Sequence, residues 1–81
     1  MKTGCEAVRD RILFLLQENK MNLHQLAMKS GMFYGTLNGI MRGRSKTVSL
    51  TSIVKIAGGF DMTPAEFIDD PSFHEDRIKV D

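Results

Sequence analysis

Apolar residues along this chain recur every three or four positions, and residues that cap helices interrupt them at short intervals. The first segment has the i, i+4, i+7 spacing of a helix that packs on one side. Thr3 and Glu6 have the spacing of a capping box, so this helix is predicted to begin there and to run to about Asn19. Its predicted apolar face comprises Val8, Ile12, Leu15 and Leu16.

The stretch from Asn22 to Gly43 predicts two further short helices joined by a tight turn. Asn22 is placed as an N-cap with Gln25 at the third helical position, which gives a second capping box. Gly31 supplies the positive φ that the turn needs, and Gly43 is predicted to end the next helix by the same device. That next helix is predicted over about Tyr34 to Met41. The apolar and small positions of the pair are Leu26, Ala27, Met32, Leu37 and Ile40. This spacing is typical of a helix-turn-helix, which places its second helix in the major groove of DNA.

Two more helices are predicted in the second half. Ser49 is placed to cap a fourth helix, and Asp61 is expected to adopt a positive φ after it. Thr63–Glu66 combines an N-cap Thr, a Pro at the first helical position and a capping-box Glu, and Pro71 keeps this fifth helix short. The predicted buried face of the fourth helix is Leu50, Ile53, Val54, Ala57 and Phe60. Five helices and no convincing strand predict an all-α domain over residues 1–70, followed by a polar tail over residues 71–81.

Composition restricts the class of protein. With 81 residues, 42% of them hydrophobic and 26% charged, the chain is expected to be one soluble globular domain. The apolar run from Ile12 to Leu16 is too short to span a bilayer, and the N-terminus does not resemble a signal peptide. The single cysteine, Cys5, cannot form an intramolecular disulfide, so the cytoplasm is the expected compartment.

The charge is unevenly distributed although the formal net charge is only +1. Residues 1–50 hold eight Lys/Arg against three Asp/Glu, whereas residues 51–81 hold three against seven. The basic half contains the helix-turn-helix, which favours a surface that faces DNA. An ordinary mixed surface with accidental segregation is an equally good explanation of the charge pattern taken alone.

From about Val8 to Phe67 the chain resembles the phage-repressor and Cro-like helix-turn-helix regulators of the XRE family. The helix-turn-helix itself, Ser49–Ala57, Met62–Phe67 and the polar loop Gly43–Lys46 carry the resemblance. It implies a compact five-helix, lambda-repressor-like domain that binds operator DNA, usually as a dimer.

The chain departs from the family pattern in the helices expected to face DNA. Leu23 stands where the family often has a phosphate-binding Gln, and Phe33 stands where Ser or Thr usually caps the recognition helix. Carried over by position, the base-facing residues are Tyr34, Gly35, Asn38 and Gly39. Two of them are glycines, which offer no side-chain hydrogen bond, so direct readout of bases is expected to be sparse. Glycine also permits close approach of the backbone to DNA or to another helix.

Tyr34 and Asn38 are the expected base-reading side chains, and Thr36 is the family position that touches the DNA backbone or the groove floor. The alternatives are that Tyr34 packs over Phe33 or Leu37 and that Thr36 is an ordinary helix-interior residue. The loop after the recognition helix supplies the expected phosphate contacts, although cations there also suit the helix dipole. These loop residues are Arg42, Arg44, Ser45 and Lys46. The helix starts after Asn22 and Ser49 are further anion sites, whereas three other cations are expected to be solvated surface charges: Arg9, Arg11 and Lys29.

Nothing in the sequence favours catalysis. His24, His74 and Cys5 lack metal-ligand spacing, and no phosphate-binding glycine loop is present. The acids Asp69, Asp70, Glu75 and Asp76 are expected to form a solvated face. No enzyme activity, cofactor, metal ion, small-molecule ligand or membrane association is therefore predicted.

The predicted function is that of a sequence-specific transcriptional regulator, with repression as the expected role. It binds double-stranded DNA as a homodimer and inserts the third helix, about Tyr34–Met41, into the major groove. The alternative is a protein-interaction module on the same fold, such as an antitoxin-like partner binder. The acidic second half and the two glycines of the recognition helix favour this alternative, as does the surplus of apolar residues on the first helix: Leu13, Phe14 and Leu16.

Overall fold

Helices account for most of the described chain, which comprises residues 3–44 and 47–74 of a computed structural model. These residues form five α-helices, one short 3-10 helix and no strand, so the predicted all-α five-helix architecture is confirmed. The elements are α1 (Gly4–Glu18), α2 (Leu23–Ser30), α3 (Tyr34–Met41), α4 (Leu50–Gly59), α5 (Pro64–Ile68) and the 3-10 helix Pro71–Phe73. None of the described helices is both long and apolar enough to cross a membrane.

The helix starts follow from local hydrogen bonds that the sequence predicted. The backbone N–H of Gln25 donates to Asn22 Oδ1 at 2.8 Å, and the backbone N–H of Asn22 donates to Gln25 Oε1 at 2.9 Å. Thr63 and Glu66 form the same reciprocal pair at the start of α5. The hydrogen bonds from the backbone and then the side chain of Thr63 lower the pKa of the Glu66 carboxyl. These capping boxes are confirmed.

The turns after the helices also follow the prediction. Gly31 has φ 71° and Gly43 has φ 74°, which are left-handed conformations that glycine adopts without steric cost. Asp61 has φ 57°, in the position predicted for it. These three backbone conformations end α2, α3 and α4 and set the directions in which the next segments leave.

The core lies between the five α-helices, with α2 and α5 packed against α4 and α3 packed against α1 and α2. Five large side chains are completely buried there: Phe67, Ile12, Leu26, Leu37 and Ile56. The predicted apolar face of α1 is buried at Val8, Ile12 and Leu15, and Leu16 is partly buried against the core. The helix-turn-helix pair therefore rests on a single core to which every α-helix contributes.

The predicted buried face of α4 was partly wrong. Ala57 and Phe60 are buried and Ile53 is partly buried, but Leu50 is 73% exposed and Val54 is 47% exposed. Ile56, which the prediction omitted, is completely buried. Apolar residues occupy more than one side of α4, so helical periodicity alone could not identify the side that the other helices cover.

Arg11 was predicted to be a solvated charge and is instead buried, with 8% of its surface exposed. Its Nε donates to the carbonyl oxygen of Phe67 at 2.8 Å, and Nη2 donates to that of Glu66 at 3.1 Å. Nη1 lies 3.3 Å from Asp70 Oδ1 in an ion pair. The last carbonyl groups of α5 have no hydrogen-bond donors within the helix, and the Arg11 guanidinium provides donors for two of them. Asp70, expected on a solvated face, is instead partly buried beside Arg11.

The chain continues along α1 after α5. The side chain of Asp70 accepts from the backbone N–H of Ser72 at 2.9 Å, which starts the 3-10 helix. The ring of Phe73 lies 5.9 Å from that of Phe67 and packs against the core. The predicted boundary between a domain ending at residue 70 and a tail beginning at 71 stays a prediction, since residues 75–81 lie outside the described part of the chain.

Gly59 marks a close approach between α4 and α2 that helical periodicity does not predict. A Cβ atom added there would lie 2.8 Å from Leu26 Cδ1 and 3.1 Å from Ser30 Cβ. We expect Gly59→Ala to lower the free energy of unfolding by about 1–3 kcal/mol, because the interior must shift to admit the methyl group.

Gly58 provides the matched control for this prediction. It is exposed on the same helix, and an added Cβ would meet nothing within 4 Å. Gly58→Ala is expected to stabilise the protein by about 0.4–1 kcal/mol, because alanine has less conformational entropy to lose. Urea unfolding of both variants measures the two effects. Equal changes at the two positions would contradict a close approach at Gly59.

Candidate nucleic-acid interface

One side of α3 is anchored in the core and the other faces outward. Leu37 and Ile40 are buried, whereas the first three residues of α3 are exposed. Of the α3 residues predicted to contact DNA, Tyr34, Gly35 and Thr36 are exposed, and Asn38 and Gly39 are half-buried. An added Cβ on Gly35 would meet nothing within 4 Å, so the surface there is open.

Tyr34 stacks face to face on His24. The ring centroids lie 3.9 Å apart and the ring planes differ by 2°. His24 belongs to the first turn of α2 and Tyr34 is the first residue of α3, so the stack joins the starts of the two helices. The sequence pattern around His24 bears only on metal binding, which it does not favour. The proximity of the two helix starts in a helix-turn-helix was the signal that could have suggested the pair.

Asn38 and Arg42 are connected along α3. Arg42 Nε donates to Asn38 Oδ1 at 3.3 Å, one helical turn away. Two-bond recognition of adenine by asparagine uses this same amide oxygen together with the amide N–H. The amide oxygen has a second lone pair, so Asn38 could accept from adenine while Arg42 still donates to it, and the Arg42 bond would then orient the amide.

The cations that follow α3 lie at its C-terminal end. Arg42 and Arg44 are both exposed, and the backbone N–H of Arg44 donates to the carbonyl oxygen of Gly39 at 2.9 Å. Ser45 and Lys46, the other predicted phosphate contacts, lie outside the described residues. Arg9 adds to this group, since its Nη1 would lie 3.2 Å from a Cβ placed on Gly43. The sequence predicts Arg9 only as a solvated surface charge.

The starts of α2 and α4 present backbone N–H groups with no acid in their first turns. Asn22 Oδ1 accepts from the N–H of Gln25, and Ser49 Oγ accepts from the N–H of Ser52 at 3.1 Å. The remaining N–H groups of each first turn lack helical acceptors and favour an anion. Both starts are consequently suited to a phosphate of a nucleic acid backbone.

A shallow groove of about 180 Å³ separates the start of α3 from α4. Phe33 and Thr36 line one wall, and Thr51, Ser52 and Lys55 line the other. Lys55, which is not among the predicted DNA contacts, places a further exposed cation beside α3. Among residues 3–44 and 47–74, His, Cys, Asp and Glu form no group of three suited to a metal ion.

Residues 11–72 match the family model of the Cro/C1-type helix-turn-helix DNA-binding domain. The chain therefore belongs to this family of DNA-binding proteins. It is also similar to the crystal structure of prophage Lp1 protein 11, with a TM-score of 0.80 and 29% sequence identity over 93% of this chain and 99% of that one. A comparison with curated proteins gives no match. The resemblance to Cro-like regulators drawn from the sequence is confirmed.

Proposed function

We propose that this protein is a cytoplasmic transcriptional regulator that represses by binding a specific DNA site as a homodimer. One observation carries the proposal: α3 buries Leu37 and Ile40 while its opposite side is open at Tyr34, Gly35 and Thr36. In a helix-turn-helix the N-terminal residues of the second helix approach base edges in the major groove. The open side of α3 is the one that enters the groove.

Phosphate contacts orient α3 in this proposal. Arg42 and Arg44 at the end of α3, with Ser45 and Lys46 beyond them, hold one strand of the duplex. The starts of α2 at Asn22 and of α4 at Ser49 accept further phosphates. Gly35 and Gly39 bring the helix backbone close to the groove floor, because they carry no side chains.

Dimerisation supplies much of the affinity, because a single small module buries too little surface to select one site in a genome. The exposed Leu13 and Phe14 on α1 support an apolar contact between protomers. A two-fold symmetric dimer would recognise two half-sites in a palindromic operator.

Selection of binding sites from random duplexes, followed by fluorescence anisotropy, tests the proposal. We expect one palindromic site to be enriched and its affinity to fall by at least about tenfold between about 50 and about 200 mM salt. A folded protein that binds no duplex at low salt would overturn the proposed function.

A second function is favoured by exposed apolar residues on helices other than α3. Met28 on α2 and Leu50 on α4 are both largely exposed, and Met28 borders a surface groove of about 360 Å³. An antitoxin-like partner binder would use such surfaces. Charge reversal at Arg42 and Arg44 would abolish DNA binding but leave capture of a protein partner unchanged.

A further inference from the structure

Phe33 immediately precedes α3, at a position where a side chain usually caps the helix, but it does not cap it. It is the N-cap residue of α3, forms no side-chain capping hydrogen bond, and is 85% exposed. A polar residue there would stabilise the start of the helix, and a phenylalanine gains little from burial at this exposure. Neither capping nor the core accounts for an aromatic ring at this position.

Few side chains of α3 can recognise DNA bases by hydrogen bonding. Gly35 and Gly39 have no side chain, and the Asn38 amide oxygen accepts from Arg42. One face of the Tyr34 ring is covered by His24. The most exposed large side chain at the start of α3 is the apolar ring of Phe33, which is 85% exposed against 39% for Tyr34.

We propose that Phe33 reads the 5-methyl group of thymine, an inference that rests on the proposed function. The N-terminal residues of a recognition helix lie next to base edges. Thymine is the base of unmodified DNA that presents a methyl group in the major groove, and phenylalanine is among the side chains that contact it. Contact between the ring and the methyl group removes apolar surface of both from water.

Deoxyuridine tests this proposal because it differs from thymidine only by that methyl group. Each thymine of the selected operator is replaced singly by uracil, and binding is measured by fluorescence anisotropy. We expect one thymine in each half-site to be sensitive, with affinity about fourfold lower for uracil. Phe33→Ser is expected to bind the thymine and uracil duplexes equally.

The choice of serine separates readout from folding. Serine is a favoured N-cap residue, so Phe33→Ser is expected to unfold at a higher temperature than the parent while losing the discrimination. Phe33→Leu retains an apolar side chain and should preserve most of the discrimination between thymine and uracil.

Equal binding of thymine and uracil by the parent protein at every position would overturn the proposal, as would full discrimination by Phe33→Ser. Binding without sequence preference would overturn it too while leaving DNA binding intact, and absence of all binding would instead contradict the proposed function.

A different observation, the ring stack, carries a second inference. We infer that His24 is a positioning residue that fixes the orientation of Tyr34 toward the groove. With parallel rings 3.9 Å apart, the Tyr34 ring is held against α2. This arrangement reduces the conformational freedom that Tyr34 would lose on contacting a base.

Substitutions at His24 separate positioning from direct contact. Tyr34→Ala identifies the base pairs whose preference depends on Tyr34. His24→Ala is expected to weaken preference at those same base pairs by about two- to tenfold, and His24→Phe to restore it, because phenylalanine can stack but cannot bind a phosphate through a ring nitrogen. His24→Ala should have no further effect in a Tyr34→Ala protein. Equal losses in His24→Ala and His24→Phe would overturn the inference, as would an unchanged base preference in His24→Ala.

Discussion

Replacing Arg11 with methionine is expected to lower the free energy of unfolding by about 3 kcal/mol. The substitution keeps a long side chain in the interior but removes every donor of the guanidinium. The carbonyl oxygens of Glu66 and Phe67 lose their hydrogen bonds, and Asp70 loses its ion-pair partner. Since α5 contains only five residues, loss of its cap should loosen the packing of Phe67.

Urea unfolding followed by circular dichroism measures this change. Lys29→Met is the matched control, because Lys29 and Asp61 form an ion pair with Nζ and Oδ2 also 3.3 Å apart, but on the surface. Its expected cost is under about 1 kcal/mol, since exposed ion pairs contribute little. A loss at Arg11 no larger than that at Lys29 would show that the buried network contributes little to stability.

Asp70→Asn separates the ion pair from the backbone hydrogen bonds. In this variant Arg11 keeps its two carbonyl acceptors, so a smaller loss than in Arg11→Met is expected. The double variant should cost less than the sum of the two single variants, because both act on one hydrogen-bonded network.

Reversing the charges at Arg44 and Lys46 is expected to weaken DNA binding steeply. Each cation that neutralises a phosphate releases a counterion, so losing two contacts should reduce the slope of log K against log salt by about 2 for each protomer. Arg44 is exposed, so its substitution to glutamate should leave the fold intact. Anisotropy titrations with the selected operator over a range of salt concentrations measure both quantities.

Two comparisons make this expectation specific. Arg44→Gln with Lys46→Gln removes the charges without reversing them and should give an intermediate affinity. Lys29→Glu changes the net charge as much as Arg44→Glu does, but at an exposed site paired with Asp61. If Lys29→Glu weakens binding as strongly as Arg44→Glu, net charge and not a local phosphate contact governs the affinity.

The sequence by itself determined where the helices begin and end. The capping bonds between Asn22 and Gln25 and between Thr63 and Glu66 join residues three positions apart. The positive φ of Gly31 depends on conformational preferences within one turn. Such signals are local, so they can be read without knowing how the helices pack.

Those parts of the candidate interface that depend on residues close together in the sequence could also be predicted. The pairing of α2 and α3 defined the motif, and the exposed positions of Tyr34, Gly35 and Thr36 follow from the burial of Leu37 on the opposite side. That these residues contact DNA stays a prediction. The stack of Tyr34 on His24 could not be predicted from spacing, because it joins side chains of two different helices.

Only the tertiary structure decided which side chains are buried in the interior and what they contact there. Arg11 donates to a carbonyl 56 positions away, Ile56 is buried while Leu50 is exposed, and Gly59 lies against Leu26 of another helix. Each outcome depends on the distance and rotation between packed helices. Those quantities are fixed by the simultaneous fit of all side chains in the interior, which no local sequence pattern encodes.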